Sequence, residues 1–560
     1  MDMKIVSNVY IAVMRYAMPA VSALLLLRCF LPLLTFRRDP EIWGWLETAQ
    51  GLRFPLEHWE TVIGRSKRCD IVLDLPTVSR THAVLTRYDD GSWTILDTDS
   101  KTGVQVNDHP VSIWALSDAD MLLIGGVPLR FQSATAQQQA SQAVKRRKAA
   151  SGSVSAANLL LLTALQACTC VAFLLDGAPV GTAFAWAGLV ALQWLLLIFY
   201  LSIHRPAFEV ETIAFFLCSV GMAVIASVSP GEMRKQLLAI ALGITTFLLL
   251  GWTLRSLERA KRIRYVAAVA GMGLLVITLL FGTEFYGAKN WIILGGISLQ
   301  PSELAKVCFV YVGAATMDSL LRRRNLILFI AYTVALCGLL ALMNDFGTAM
   351  VFFSAFLIIA YLRSGSMGTV ALACTALLFA GVIGLQIAPH ALRRFAAWRN
   401  IWQDPWGAGY QQTQALMCIA SGGLFGLGIG RGKMTRIFAA DSDVVFATVS
   451  EEWGLAVAVL CVSCIVALGL FSLRCVKGSR SSFYAIGSCT AASILLVQTI
   501  FNVLGTVDIL PLTGVTFPLL SNGGSSMISV WGLLAFIKAA DTRQNGSFAV
   551  KLQHGGKESE

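Results

Sequence analysis

Charge is what this sequence has least of. Only 14% of its 560 residues are Asp, Glu, Lys or Arg, while 56% are hydrophobic and the mean hydropathy is +0.66. An ordinary soluble domain carries about 25% charged residues, so a soluble enzyme is excluded. Cysteines number thirteen, but paired spacing in polar loops is missing: most lie inside apolar runs and read as small packing residues. Cys461-x-x-Cys464 has no His or further Cys near it on a polar segment, which argues against a metal or redox site. A small-residue cleavage site after the first apolar stretch, Tyr10 to Phe36, is also missing, so that stretch reads as an uncleaved anchor. The net charge of +11 calls for no nucleic acid, because membrane proteins gather Lys and Arg on cytoplasmic loops.

What remains is a polytopic α-helical membrane protein. Windows of about 20 apolar residues, enough to cross a bilayer core, recur near 156–175, 181–202, 209–229, 237–255, 265–282, 303–321, 326–343, 347–363, 366–387, 444–473, 484–505 and 523–539. Basic residues follow alternate spans, which places the N-terminus outside and the C-terminus inside. The chain divides into an N-terminal anchor over 1–38, a cytoplasmic all-β domain over 39–133, a flexible basic linker over 134–155, an extra transmembrane hairpin over 156–208, the main membrane domain over 209–540 and a cytoplasmic tail over 541–560. The β domain is read from short alternating runs such as "DIVLDL" and "HAVLTRY" between turn residues. One long outer segment, Pro389 to Ala440, breaks the charge pattern with Arg393, Arg394, Arg399, Arg431, Lys433 and Arg436 against the single acid Asp404. Cations on that side point to an anionic ligand.

Within the β domain, Gly64-Arg65, "VSRTHA" (Val78 to Ala83) and "DSKTGVQVND" (Asp99 to Asp108) fall at strand ends. Guanidinium and hydroxyl donors clustered on loops suit a phosphate monoester; alternatively, Ser79 and His82 brace two turns. In order and spacing these motifs resemble the forkhead-associated (FHA) domain, an eleven-stranded sandwich that reads phosphothreonine peptides, over about Trp43 to Phe131. The resemblance implies that Arg65, Ser79 and Arg80 hold phosphate, that His82 braces the loops and that Lys101 faces the phosphate. Thr102 stands where the family usually has a peptide-binding Asn.

In the membrane domain four stretches depart from plain lipid-spanning texture: "YGAKNWIILGGISLQPSELAK" (Tyr286 to Lys306), Asn344-Asp-Phe-Gly-Thr348, the loop Asp404 to Lys433, and "NVLGTVDILPLTGVTFPLLSNGGSSM" (Asn502 to Met527). Irregular backbone at membrane depth survives only where protein or a water-filled cavity covers it, so an outward-facing cavity is implied. Glu303 and Lys306, at i and i+3 of a helix start, are spaced to pair. In this order the stretches resemble the SEDS proteins (shape, elongation, division and sporulation), polytopic glycosyltransferases that polymerise peptidoglycan from lipid II beside a class B penicillin-binding protein. The resemblance covers about Glu209 to Ala540 and implies ten core transmembrane helices; the anchor and the hairpin lie outside it and read as a tether for the β domain.

Such chemistry needs a carboxylate base, cations on a polyprenyl diphosphate leaving group and a groove for lipid chains. Outer carboxylates are Glu284, Glu303, Asp345, Asp404, Asp441, Asp443 and Asp508. The resemblance selects Asp443 as catalytic, since "DVVFATVSEEWG" matches the family pattern; Asp441-Ser442 replaces the usual His-Thr, and Asp441 adds a like charge nearby. It also implies that Trp291 lines the substrate groove. Lys289, Arg393, Arg394, Arg399, Gln411, Lys433 and Ser525 complete the expected substrate contacts, with Asn290 where the family often has a basic residue. On one continuous helix, Glu451 and Glu452 lie about 12 Å deeper than Asp443 and at rotations of about 80° and about 180° from it. They are assigned, with Glu303 and Lys306, to structural pairing. No cofactor is called for, and a divalent cation on the diphosphate stays open, as does the choice among division, elongation and sporulation. A lipid-precursor transporter and a non-catalytic phosphoprotein scaffold are the alternatives.

Overall fold

In the computed structural model the described residues are 3–35; 41–139 apart from 68, 89 and 136; 152–318 apart from 286, 295 and 296; 323–378 apart from 365, 366, 369 and 377; and then 396 and 398–541. Arg393, Arg394, most of the linker, part of the expected 366–387 span and nearly all of the tail lie outside them.

Period-two alternation builds the soluble domain as expected. Its strands are β1 (Gly44–Thr48), β2 (Arg53–Leu56), β3 (Glu60–Gly64), β4 (Ile71–Val72), β5 (Ala83–Arg87), β6 (Trp93–Asp97), β7 (Val104–Val106), β8 (His109–Val111), β9 (Ile113–Leu116), β10 (Met121–Ile124) and β11 (Val127–Ser133). They form a six-stranded sheet, β2-β1-β11-β10-β7-β8, and a five-stranded sheet, β4-β3-β5-β6-β9. In β11, Leu129 and Phe131 point inward at 0% and 1% exposure while Pro128 and Arg130 point out, the register of a half-buried strand.

The helices are α1 (Met3–Thr35), α2 (Gly152–Leu175), α3 (Val180–Ser202), α4 (Glu209–Val228), α5 (Met233–Leu254), α6 (Leu257–Phe281), α7 (Pro301–Asp318), α8 (Arg323–Leu342), α9 (Phe346–Ser364), α10 (Tyr410–Gly422), α11 (Val445–Glu452), α12 (Leu455–Lys477), α13 (Ser482–Thr506) and α14 (Gly524–Ala539). Among the described residues eight helices are long and apolar enough to cross a membrane, and three shorter apolar ones accompany them. Helix α4 is almost wholly buried, with its two acids, Glu209 and Glu211, in the first turn, which makes it the centre of the bundle. Small residues set the closest approaches. A Cβ on Gly243 would stand 2.7 Å from Trp531 of α14, and one on Gly221 would stand 2.4 Å from the Leu520 carbonyl.

Three expectations are corrected. First, α1, α2 and α3 are more than a tether. Helix α1 packs on α2, α4 and α12, the Tyr10 hydroxyl donates to the Cys168 carbonyl at 3.0 Å, and Arg28 donates to Asn158 at 2.8 Å. Buried Gln166 of α2 donates to Gln193 of α3 at 2.9 Å and to Ser219 of α4 at 2.7 Å. Polar side chains in a membrane domain that saturate one another in this way fix helix register. Second, the segment before α7 forms a three-stranded sheet of β12 (Thr283–Phe285), β13 (Ala288–Leu294) and β14 (Ile297–Leu299).

Third, the apolar run 444–473 is two helices. The chain breaks at Trp453-Gly454, where Gly454 has φ 90°. The physical cause is a crossing segment: Leu455 N donates to Gly423 O at 2.9 Å, Leu427 N to Glu451 O at 2.8 Å and Gly428 N to Glu452 O at 3.0 Å. The backbone groups freed by the break are thus satisfied by the 423–428 segment, as membrane depth requires. A Cβ on Gly454 would lie 2.3 Å from the Leu424 carbonyl. Gly454→Ala combines that clash with a left-handed backbone, and it is expected to cost about 1–3 kcal/mol. The check is the thermal unfolding midpoint of purified protein in detergent, which falls, while Gly273→Ala, at a helix position with no neighbour within 4 Å, leaves it unchanged.

Candidate functional site

Asp443 lies in the turn that leads into α11, not on the helix, so the rotation argument that related it to Glu451 and Glu452 does not apply. Its amide donates to Ala439 O at 3.1 Å, and Ala439 itself has φ 56°. Three elements hold the backbone of this turn. From α13, Asn502 Nδ2 donates to Asp443 O at 2.9 Å, to Ser442 O at 3.4 Å and to Val515 O at 3.0 Å. From the segment before α14, Ser521 Oγ donates to Ser442 O at 2.7 Å, and Asn522 N donates to Asp441 O at 2.7 Å. From α11, Thr448 Oγ1 donates to Ala440 O at 2.6 Å. The backbone is fixed while the Asp443 residue stays half-buried, the condition for a side chain that must meet a substrate in one geometry. Asn502 is not among the residues expected from the sequence; its signal there is an amide in a largely apolar span, shared with Gln498 one turn earlier.

Asp441 is engaged elsewhere. Its Oδ2 accepts from Ser229 Oγ at 2.7 Å and from Asn522 Nδ2 at 2.9 Å. Its carboxylate joins the end of α4 to the turn before α14.

The other expected residues separate into groups. Glu303 and Lys306 pair at 2.7 Å with side chains 5% and 2% exposed, in the first turn of α7. Ser525 is buried, and its Oγ accepts from Gln300 N at 3.1 Å. Gln300 and Asn290 in turn donate to Asp345 Oδ2 at 3.4 and 3.2 Å, so Asp345 ties β13 and the residue before α7 to the start of α9. Trp291 lies half-buried on β13 and pairs with Thr283. Lys289 on the same strand donates from Nζ to Leu279 O at 2.7 Å, where it caps α6 and complements its dipole. Gln411 donates to Phe438 O at 2.9 Å, five residues ahead of Asp443. Lys433 is exposed, and so is Arg399, whose φ is 61° and whose amide donates to Asp508 at 3.2 Å. Among the described residues no group of three or more His, Cys, Asp or Glu converges as a metal site.

Glu451 and Glu452 are fully buried and hydrogen-bonded rather than ion-paired through their Oε2 atoms: Glu451 Oε2 accepts from Met434 N at 2.8 Å and Glu452 Oε2 from Ser227 Oγ at 2.8 Å. A Cβ on Gly432 would stand 2.8 Å from Glu451. These acids therefore hold the segment that presents Lys433.

At one end of the sandwich the phosphate-type loops converge. Arg65 N donates to Ser79 O at 2.9 Å and Ser66 N to Arg80 O at 3.0 Å. His82, wholly buried, accepts from Ser79 N on Nδ1 at 3.1 Å and meets Gly103 O through Nε2 at 3.0 Å, which assigns the proton to Nε2. Ser79 Oγ accepts from Lys101 N at 3.0 Å, and Thr102 Oγ1 donates to Thr77 O at 3.1 Å. The Ser79 hydroxyl retains a proton to donate, and Arg65, Arg80 and Lys101 are exposed around it. Behind them Cys69 donates to Arg80 O at 3.2 Å, and burial pushes its thiol above the ordinary range.

The hydrogen-bonding role of Glu451 has a direct check. Glu451→Gln keeps an acceptor for the Met434 amide and is expected to stay within about 0.5 kcal/mol of the parent. Glu451→Ala strands that buried amide at a cost of roughly 1–3 kcal/mol, read as a lower unfolding midpoint.

Comparison with known proteins places these features. A profile of the FtsW/RodA/SpoVE family, described as cell cycle proteins, matches residues 187–546. An FHA-domain profile matches residues 61–125. The peptidoglycan glycosyltransferase RodA of Mycobacterium tuberculosis is 30% identical over 325 residues, which span 54% of this chain and 69% of that protein. The probable peptidoglycan glycosyltransferase FtsW of Tolumonas auensis is 31% identical over 369 residues, 60% of this chain and 93% of that one. A chain from a solved structure on the coordination of polymerization and crosslinking by a peptidoglycan synthase complex superposes with a TM-score of 0.50 at 26% identity, covering 60% of this chain and 98% of that chain. The family match begins within α3, ahead of Glu209, and runs past α14. The protein is therefore a member of the FtsW/RodA/SpoVE family that carries an FHA domain ahead of its membrane core.

Proposed function

We propose that the protein is a peptidoglycan glycosyltransferase that polymerises lipid II at the outer face of a bacterial plasma membrane, with Asp443 as general base. The observation that carries this reading is the half-buried Asp443 on a turn whose backbone is fixed by Asn502, Ser521 and Asn522. Asp443 takes the proton from the acceptor sugar hydroxyl as that oxygen bonds to the anomeric carbon of the donor. The bond from that carbon to the diphosphate breaks, and polyprenyl diphosphate leaves with the electron pair. Lys433 and Arg399 are exposed cations suited to the charge that develops on the leaving group, and Trp291 offers an aromatic wall for the substrate.

In this reading α1's N-terminus lies outside and the FHA domain and C-terminus lie in the cytoplasm. Contacts at the two ends of the bundle support this: Asn8, near the start of α1, hydrogen-bonds Arg431 of the outer segment, while the FHA domain meets the basic loop between α12 and α13. The FHA domain reads a phosphothreonine protein through Arg65, Ser79, Arg80 and Lys101. A class B penicillin-binding protein is the partner that would crosslink the product.

Two measurements test the reading. With purified protein and lipid II, Asp443→Asn is expected to lose glycan synthesis by about 100-fold or more; a variant that polymerises normally shows that another carboxylate is the base, and translocation without bond formation favours a transporter. With full-length protein and a phosphothreonine peptide, calorimetry is expected to show binding that Arg65→Ala and Ser79→Ala abolish. Equal binding by parent and variants refutes the reader assignment.

A further inference from the structure

Among the described residues, the FHA domain is hydrogen-bonded to the membrane core at the loop between α12 and α13. Glu41 holds Arg480 in a two-point pair at 2.7 and 3.0 Å. The Arg480 guanidinium lies 5.4 Å from the Trp43 ring and 5.9 Å from that of Trp59. Trp59 N donates to Arg480 O at 2.6 Å, and the His58 ring meets Ser479 O at 2.8 Å. Beside them sits Glu60, 7% exposed. Its carboxylate accepts from Ser481 Oγ at 2.9 Å and from Ser482 N at 3.0 Å, and Ser481 Oγ accepts in turn from Phe483 N at 3.2 Å. Ser481 is the N-cap of α13, so a side chain of the reader domain completes the cap of a membrane helix and places its charge at the positive end of the helix dipole.

Both ends of this connection reach a functional site. Helix α13 has 25 residues, a rod of about 37 Å, packed along its length by α7, α9, α12 and α14. In its last two turns Asn502, 1% exposed, donates to the backbone of Ser442 and Asp443. In the other direction Glu60 opens β3, and β3 ends at Gly64, directly before Arg65. One strand of five residues, about 17 Å long, separates the helix cap from the phosphate loop.

We propose that Glu60 is a positioning residue for Asp443: it sets the seat of α13 from the cytoplasmic side, and α13 delivers that setting to the catalytic turn through Asn502. The inference rests on the reading of Asp443 as the base. The FHA domain is then a working part of the polymerase, and a phosphothreonine ligand on Arg65 acts one strand away from the cap. A route drawn from contacts alone is associational, so coupling energy is the required warrant.

The test is a double-mutant cycle in full-length protein reconstituted in nanodiscs, with lipid II polymerisation giving kcat and KM separately. Glu60→Ala is expected to lower kcat by about tenfold, the scale of a small misplacement of reacting groups, with KM for lipid II changed by less than about twofold and the loss largely restored in Glu60→Gln, which keeps an acceptor at the cap. Adding Glu60→Ala to Asn502→Ala is expected to slow kcat by no more than about twofold beyond Asn502→Ala alone, whereas independent distant sites multiply their losses. Multiplying losses, or an unchanged kcat in Glu60→Ala, overturns the proposal and leaves the polymerase reading standing. If Glu60→Ala fails to accumulate, the same cycle with Ser481→Ala, which removes the hydroxyl between Glu60 and the helix, decides by the same criterion. An inactive parent protein overturns the polymerase reading itself.

Discussion

Asn502 places a primary amide, 1% exposed, near the C-terminal end of α13, and burial leaves it no water to bond. The amide must find protein acceptors, and those it finds are the carbonyls of Ser442, Asp443 and Val515. That requirement joins α13 to the turn before α11 and to the segment before α14. With Ser521 and Asn522 making further bonds to the same turn, the position of the Asp443 backbone follows from the burial and hydrogen bonding of the turn.

The same accounting explains the breaks in the bundle. A chain that leaves helical geometry inside a bilayer frees amides and carbonyls that only protein can satisfy. At Trp453-Gly454 they are satisfied by the 423–428 segment, and the two stretches cross so closely that Gly426 and Gly454 admit no side chain: a Cβ on either would lie within 2.3 Å of a carbonyl oxygen. Glu451 then holds Met434 farther along that segment, and Glu452 is tied to Ser227 of α4. The sequence "SEEWG" is therefore a structural joint behind the site, and the cation-bearing loop is its outward extension.

Much of this architecture is legible in the amino-acid sequence. Composition and apolar windows identify the spans, alternation identifies the sandwich, and i, i+3 spacing anticipates the Glu303–Lys306 pair. Motif resemblance finds the converging loops at Arg65, Ser79 and Lys101. What stays hidden has physical reasons. The window 444–473 is apolar on either side of Ser450-Glu451-Glu452, so it reads as one span until the crossing partner of Gly454 is known. Lys289 looks like a free cation on an outer loop until the end of α6 is placed against it. The roles of α1, α2 and α3 depend on single long-range bonds, such as Gln166 to Ser219, that no periodicity encodes. The docking of Glu60 on Ser481 pairs residues 421 positions apart, and neither belongs to a recognisable motif.

The central claim is that Asp443, held by its turn, meets the acceptor sugar. The most direct measurement is a structure of the protein with a non-hydrolysable lipid II analogue and an acceptor glycan bound. The account predicts the Asp443 carboxylate within about 3.2 Å of the attacking hydroxyl, with the Asn502 bonds to the turn intact. A hydroxyl seated instead against Asp345 or Asp508, with Asp443 turned away, would contradict it.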